Sequence, residues 1–436
     1  MHTDLRRIGD FGCSNTDLNA LHSAAVWSFL DNACDIPTDC PTRERSGWTG
    51  DWQLYCPTAS YLFDVDTFSR KWLTDVMIDQ HPDGRIPNIS PAESFGGWAG
   101  PVGHANASAG WGDAIVSVPL DLYESFGSTD ALDECWDAAT KWLDFCLARA
   151  AGGRHPSRSA RNPEPLPHEM YLVDTGFHWG EWLEPGVEID FPSLSTNDQA
   201  NHGTAYLHRS ALQMARIAEI LGKGEDVRIR YAQIAAQAKN AWQIECMNSD
   251  GSLVVDTQAS YVRALHFGLL PEAHVAGAVS RLVELIEAAD NHVGTGFLST
   301  PYLLPVLADH GQIDLAYELL LQDTPPSWLY MIRKGATTIW EWWEGVDSNN
   351  WPHESLNHYS KGAVISFLHH YVAGLRPTAP GYRSFAVKPH VGGGLTSAYT
   401  WHESPWGRID VSWQLHDGEV VIEVNAPEEC TWEVVA

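Results

Sequence analysis

Along most of the chain, apolar residues recur at helical spacing. Asn15 and Thr16 open a segment in which Leu18, Leu21, Ala25 and Phe29 fall near one face, a capped helix start. From His202 the pattern repeats through Leu207, Ala211, Met214, Ala218 and Leu221 and stops at Gly222, and another amphipathic segment runs from Val227 to Met247. The same period predicts helices over 66–79, 113–126, 129–150, 258–267, 272–288, 297–309, 312–322 and 359–373, with shorter ones over 53–63 and 336–343. About twelve helices can close into a barrel of six inner and six outer members or stack into an open solenoid, and the absence of a fixed-period repeat counts against the solenoid.

Three connections, 81–112, 151–200 and 323–335, are longer than packing requires, and such loops tend to carry function. At "GLRPTAPGYRS" (374–384) the texture changes. "FAVKPHV", "RIDVSWQLHD" and "GEVVIEVNAP" alternate apolar and polar residues between turn signals, which predicts strands. The expected architecture is mainly α: an (α/α)6 barrel over residues 1–375, then a small antiparallel β-sandwich over 376–436.

The net charge of −29 disfavours nucleic acids and anionic membranes and suits neutral or cationic partners. Arg154, Arg158 and Arg161 form the one basic stretch, in a Pro/Ser/Gly-rich segment read as a loop. Eight cysteines without CxxC pairs point to reduced thiols in a cytoplasmic protein, and no signal-like or membrane-spanning apolar run is present. No phosphate-binding glycine loop, dinucleotide fingerprint, GxSxG or HExxH occurs, so neither a cofactor nor a catalytic metal is expected; a structural Ca²⁺ held by Asp and carbonyl groups stays open.

Twenty tryptophans are the compositional signal for sugar chemistry, because an indole offers a flat apolar face and an N–H donor. Trp48, Trp111, Trp179 and Trp182 each lie beside glycine and a carboxylate in loop sequence. In "DCPTRERSGWTGD" (39–51), Asp39, Glu44 and Asp51 surround Trp48, and burial beside like charges would raise a carboxyl pKa while Arg43 and Arg45 oppose the shift. A second cluster, "GATTIWEWWEGVD" (335–347), sets Glu341 between Trp340 and Trp342. Two acid–aromatic clusters some 300 positions apart suggest one cleft, and glycoside hydrolysis requires such a carboxyl pair. "GWGDA" (110–114), "HWGEWLEP" (178–185) and "SLNHY" (355–359) add Asp113, Glu181 and His358 as weaker candidates.

The opening motif, extended to "DIPTDCPTRERSGWTGDWQLYCPTASYLFDVDTF", resembles the signature of bacterial α-L-rhamnosidases of glycoside hydrolase family 78. The likeness continues in order through "DGRIPNISP", "GWGDAIVSVPLDLYESFG", "HWGEWLEPG", "TGFLSTPYLLPVLADHG", "KGATTIWEWWEG", "SLNHYSKGAV" and "GLRPTAPGYRSFAVKP". It implies inverting hydrolysis of terminal α-L-rhamnosides, with Glu44 as general acid and Glu341 as general base. It further implies Asp39 and Asp51 on rhamnose hydroxyls, Trp48 packed on the sugar, His358 in contact with substrate, and Trp111, Trp182, Asp113 and Glu181 as wall positions. Arg43 and Trp340, neighbours of the two glutamates, complete the substrate-binding set. Many relatives read "DCPQRDERLGWTGD", one residue longer between the first Asp and the Glu, which shifts the register of Asp39 but keeps that from Glu44 to Asp51. Relatives also commonly carry β-domains ahead of the barrel, so a minimal or trimmed member is expected. The rival readings are another (α/α)6 glycosidase, such as an α-L-fucosidase, and a non-catalytic sugar-binding protein.

Overall fold

The computed structural model describes residues 2–92 and 106–435, so residues 93–105 of the predicted 81–112 loop lie outside the described residues. The predicted cap forms: the Asn15 side chain accepts from the N–H groups of Asp17 and Leu18 at 2.9 and 3.2 Å, starting α1 (Thr16–Asn32). Further long helices follow: α2 (Thr49–Leu62), α3 (Asp66–Asp79), α4 (Ala114–Phe126), α5 (Asp130–Gly152), α6 (Ala200–Ile220), α7 (Glu225–Cys246), α8 (Gln258–His266), α9 (Glu272–Ala288), α10 (Thr300–Asp309) and α11 (Ile313–Leu321).

Burial sorts them into two rings. In α2 every residue but Pro57 is buried, whereas α3 buries only the stripe Phe68, Ser69, Trp72, Leu73 and Val76. A helix buried all round belongs inside and one with a single apolar stripe covers it from outside. The inner members contact one another in a closed circuit, α2 to α4 to α6 to α8 to α10 to residues 360–372 and back to α2. The odd-numbered helices form the outer layer, which is the (α/α)6 arrangement.

The last inner segment is not the single helix that its spacing predicts. It winds as a 3₁₀ turn (Ser360–Val364), one α turn (Ile365–Phe367) and a π turn (Leu368–Val372), and the tight first turn carries Ser360 to Asp51 and Lys361 to Glu341. The helix predicted over 336–343 does not form either. There the backbone pairs with a neighbouring segment, Glu341 N–H donating to Ser355 and His358 N–H to Ile339, and the helix lies earlier, at Trp328–Arg333, capped by Ser327.

The basic stretch read as a loop contains a helix, Pro156–Arg161, with proline at its first position and the His155 side chain as cap. Arg158 is 3% exposed and meets Asp174, Asp198 and Glu245 at 3.0, 2.7 and 3.0 Å. A buried guanidinium with three carboxylates thus ties down the long 151–200 connection.

The three predicted C-terminal strands form, four further strands join them, and one pairing is parallel rather than antiparallel. One sheet is antiparallel in the order β1 (Gly9–Cys13), β6 (Ser397–Ser404), β7 (Gly407–His416), β8 (Glu419–Asn425), so its first strand comes from ahead of the barrel. The other joins β4 (Leu375–Pro377), β5 (Ser384–Val387) and β9 (Thr431–Val434), with β5 and β9 parallel. A two-residue pair, β2 (Ala33–Cys34) and β3 (Ile36–Pro37), closes the turn after α1. Gly9 is required where β1 crosses Tyr61, since a Cβ there would sit 2.1 Å from the Tyr61 carbonyl. All eight cysteines are free, and among the described residues no helix is long and apolar enough to cross a membrane.

Buried imidazoles fill the junction between barrel and sheet. His22 and His369 share a 2.9 Å contact between their Nε2 atoms, Tyr61 stacks on His369 and His402 with ring centres 4.2 and 4.8 Å away, and Nδ1 of His402 bonds the Tyr61 carbonyl. Burial pushes His22 down to about 3 and His402 down to about 4. Such groups take up a proton in the unfolded chain near pH 6.5 but not in the native state, so the stability they allow is complete above that pH and drains as pH falls toward 4. Acidification from about pH 7 to about pH 5 should cost the wild-type protein about 1–2 kcal/mol that His402→Gln no longer loses, measured by denaturant unfolding at the two pH values.

Candidate active site

A cavity of about 220 Å³ opens at one mouth of the barrel, lined by Asp39, Arg43, Glu44, Trp48, Asp51, Trp111, Trp179, Trp182, Phe191, Phe297, Glu341 and His358. The topology explains the convergence. Trp48 and Asp51 begin α2, Trp111 precedes α4, Trp179 to Phe191 lie in the connection before α6, Phe297 precedes α10 and His358 precedes the last inner segment. Closing the inner ring therefore gathers the loops ahead of five inner segments at one end, where helix N-termini also present unpaired N–H groups.

The wall is a continuous aromatic fence. Trp179 meets Trp48 and Trp182 edge-on at 5.4 and 5.0 Å, and Phe297 stacks on Trp111 at 5.4 Å. Gly50 is needed behind it, because a Cβ would fall 2.6 Å from the Trp111 indole. Among the described residues, the buried indole N–H groups of Trp111 and Trp179 have no acceptor.

Arg43 organises the floor. Its Nη2 lies 2.8 Å from Glu44 and 3.1 and 2.9 Å from the two oxygens of Glu341, while Nη1 pairs with Glu354. The two glutamates thus share one nitrogen, and their nearest oxygens are no farther apart than those two contacts laid end to end. Asp39, Cys40 and Glu44 present polar atoms within 4.8 Å of one another. Burial, the hydrogen bond with Glu44 and the charges of Asp51 and Glu44 push the Asp39 carboxyl far above the usual range. Burial would also raise Glu44, but hydrogen bonds from Asp39, Arg43 and Cys40 outweigh it and hold that carboxyl low. The two carboxyl groups are thus pushed in opposite directions, Asp39 toward the neutral form and Glu44 toward the ionised one. Burial and its acidic neighbours push the Cys40 thiol up.

Asp51 accepts from Ser360 Oγ at 3.1 Å and lies 3.2 Å from Nε2 of His358. Burial pushes Asp51 well above the usual range and His358 down to about 4. Arg45 adopts left-handed backbone (φ 54°), and Asp39, held by the Ser46 N–H at 2.9 Å, faces the cavity.

Three of the predicted residues stand elsewhere. Asp113 is buried behind Trp111, accepting from Trp142 Nε1, Ser210 Oγ and Gly110 N–H at 3.1, 2.5 and 2.8 Å. Glu181 is turned away from the main cavity, 2.6 Å from Arg263 and 3.1 Å from the Ser299 N–H, anchoring the loop that carries Trp179 and Trp182. Trp340 is buried and borders a separate groove with Arg333 and Lys334. Phe191, Phe297, Ser360 and Lys361 were not anticipated; Phe297 alone had a signal, its place at the start of a predicted helix.

The model for the bacterial alpha-L-rhamnosidase 6 hairpin glycosidase domain matches residues 6–372, and that for the bacterial alpha-L-rhamnosidase C-terminal domain matches 374–436. The chain belongs to the bacterial α-L-rhamnosidase family. Among these rhamnosidases, the one from Streptomyces avermitilis is 36% identical over all of this chain and 39% of its own length, and one from Formosa agariphila is 34% identical over 99% of this chain and 44% of its own. The crystal structure of the Streptomyces avermitilis α-L-rhamnosidase complexed with L-rhamnose aligns with a TM-score of 0.88, covering 100% of this chain and 39% of that one. That of the Aspergillus terreus enzyme aligns at 0.89, with 33% identity, covering 100% and 48%. The chain thus spans less than half the length of the rhamnosidases it matches.

If the Arg43 bridge holds Glu44 ionised, Arg43→Gln should move the Glu44 titration upward by about one unit or more, read by ¹³C nuclear magnetic resonance of labelled glutamate carboxyls.

Proposed function

We propose that this chain hydrolyses terminal α-L-rhamnosides with inversion, Glu44 acting as general acid and Glu341 as general base. The observation that carries the reading is that these two glutamates, 297 positions apart, reach the same Arg43 nitrogen in one indole-walled cavity. The L-rhamnose complex of the Streptomyces avermitilis relative supports the choice of sugar.

Inverting glycosidases hold their carboxyl groups about 6.5–9.5 Å apart to seat a water beside the sugar. Arg43 occupies the space between the two carboxylates, so a substrate and its water enter by displacing this side chain, which is 36% exposed and also pairs with Glu354 at the rim. Loss of that cation removes part of the support for ionised Glu44, and the neighbouring Asp39, already hydrogen-bonded to it, supplies the proton. Glu44 then donates it to the glycosidic oxygen while Glu341 removes a proton from water attacking the opposite face of the anomeric carbon. The positive charge that develops on the sugar ring is met by Asp39, after proton transfer, and by Glu341 in a site that excludes bulk water. Asp51 and His358 bind sugar hydroxyls, and the free indole N–H groups of Trp111 and Trp179 offer two further donors.

With 4-nitrophenyl α-L-rhamnopyranoside as substrate, the wild-type protein should turn over, and Glu341→Gln should retain its fold by circular dichroism while losing about 10²–10⁴ in kcat. On a rhamnoside with a poor leaving group, Glu44→Gln should lose as much, and near-normal turnover there would remove Glu44 from the acid role. Proton nuclear magnetic resonance should detect β-L-rhamnose before its α anomer; first appearance of the α anomer would overturn the inverting course.

A further inference from the structure

Lys361 is an ammonium group sealed into the barrel wall behind Glu341. The residue is 3% exposed and sits in the first turn of the last inner segment. Its Nζ donates to the main-chain carbonyl of Glu341 and stands 5.0 Å from the centre of the Trp343 ring, while Trp328 Nε1 donates to the Lys361 carbonyl at 3.0 Å. Among the described residues no carboxylate pairs with it directly; Glu341 and Glu344 act on it at longer range. A buried cation without an ion-pair partner is expensive, and an apolar side chain of similar length would fill the space without that expense. The charge is therefore the informative property of the position.

We propose that Lys361 is a positioning residue for Glu341: it fixes the main chain that carries this glutamate and sets a positive charge behind the side chain that removes a proton from water. The proposal rests on the reading of Glu341 as general base. Glu341 is held on both sides of its own residue, its N–H donating to Ser355 at 3.0 Å and its carbonyl accepting from Lys361, so its side chain leaves the wall from a fixed base. The groups facing Lys361 are Glu341, Trp343 and Glu344 from one loop and Trp328 from the short helix at Trp328–Arg333; its charge also reaches His358. Burial pushes the ammonium down to about 8 against the pull of the two glutamates. The charge is thus present below that pH and lost above it, and an alkaline decline of activity should follow the loss.

The test is the pH dependence of kcat and kcat/KM on 4-nitrophenyl α-L-rhamnopyranoside for the wild-type protein, Lys361→Arg and Lys361→Met. The wild-type protein should decline above about pH 8. In Lys361→Arg that limb should move beyond about pH 10, because a guanidinium stays charged. In Lys361→Met that limb should vanish and kcat should fall about tenfold to a hundredfold, with KM changed less than about twofold because Lys361 does not line the cavity. A folded Lys361→Met protein with wild-type limbs would overturn the proposal, since a purely structural lysine would alter melting and not titration. If Lys361→Met does not fold, Lys361→Arg decides alone, and an unmoved alkaline limb there counts against the inference. A wild-type protein without turnover would instead remove the reading of Glu341 and this inference with it.

Discussion

Four carboxyl groups, those of Asp39, Glu44, Asp51 and Glu341, are held around one hollow walled by indole rings, and a single guanidinium offsets much of their repulsion. Arg43 touches Glu44, Glu341 and Glu354. Beyond its reach burial acts against charge: Asp39 and Asp51 are pushed up by burial and by their neighbours, and His358 is pushed down beside Asp51. The floor is therefore balanced on one side chain, and any movement of Arg43 changes the field at all four carboxyl groups at once.

The barrel supplies the stiffness that such crowding needs. Each carboxyl group leaves from a backbone fixed by other contacts: Asp51 lies within the buried first turn of α2, Glu341 is tied to Ser355 and Lys361, and Asp39 exchanges hydrogen bonds with Ser46. The aromatic wall is braced from behind in the same way, with Asp113 holding Trp142 and Ser210, and Glu181 binding Arg263 and Ser299.

That bracing also marks what could be read from the amino acids alone. The long helices were legible because a single apolar stripe and caps such as Asn15 are local signals, and the two acid–aromatic clusters stood out for the same reason. Asp113, Glu181 and Trp340 carry the same local texture as Glu44 and Trp48, yet face inward; which way a carboxylate beside tryptophan turns depends on partners such as Arg263 and Trp142, far away along the chain. The strand at Gly9–Cys13 was hidden because two glycines blur its alternation and its partner is nearly 400 residues distant. Residues 336–343 look helical in isolation but bond to 355–358, and tertiary pairing overrides local preference there.

The β1–β6 pairing has a consequence for how the two modules relate. Because Gly9 to Cys13 completes the sheet that follows the barrel, the polypeptide is stitched shut, with its leading strand serving as the border of its trailing layer. Excising either module at residue 375 would strip β6 of that border and leave its unsatisfied amides open to self-association, so barrel and terminal sheet share one hydrogen-bonded seam.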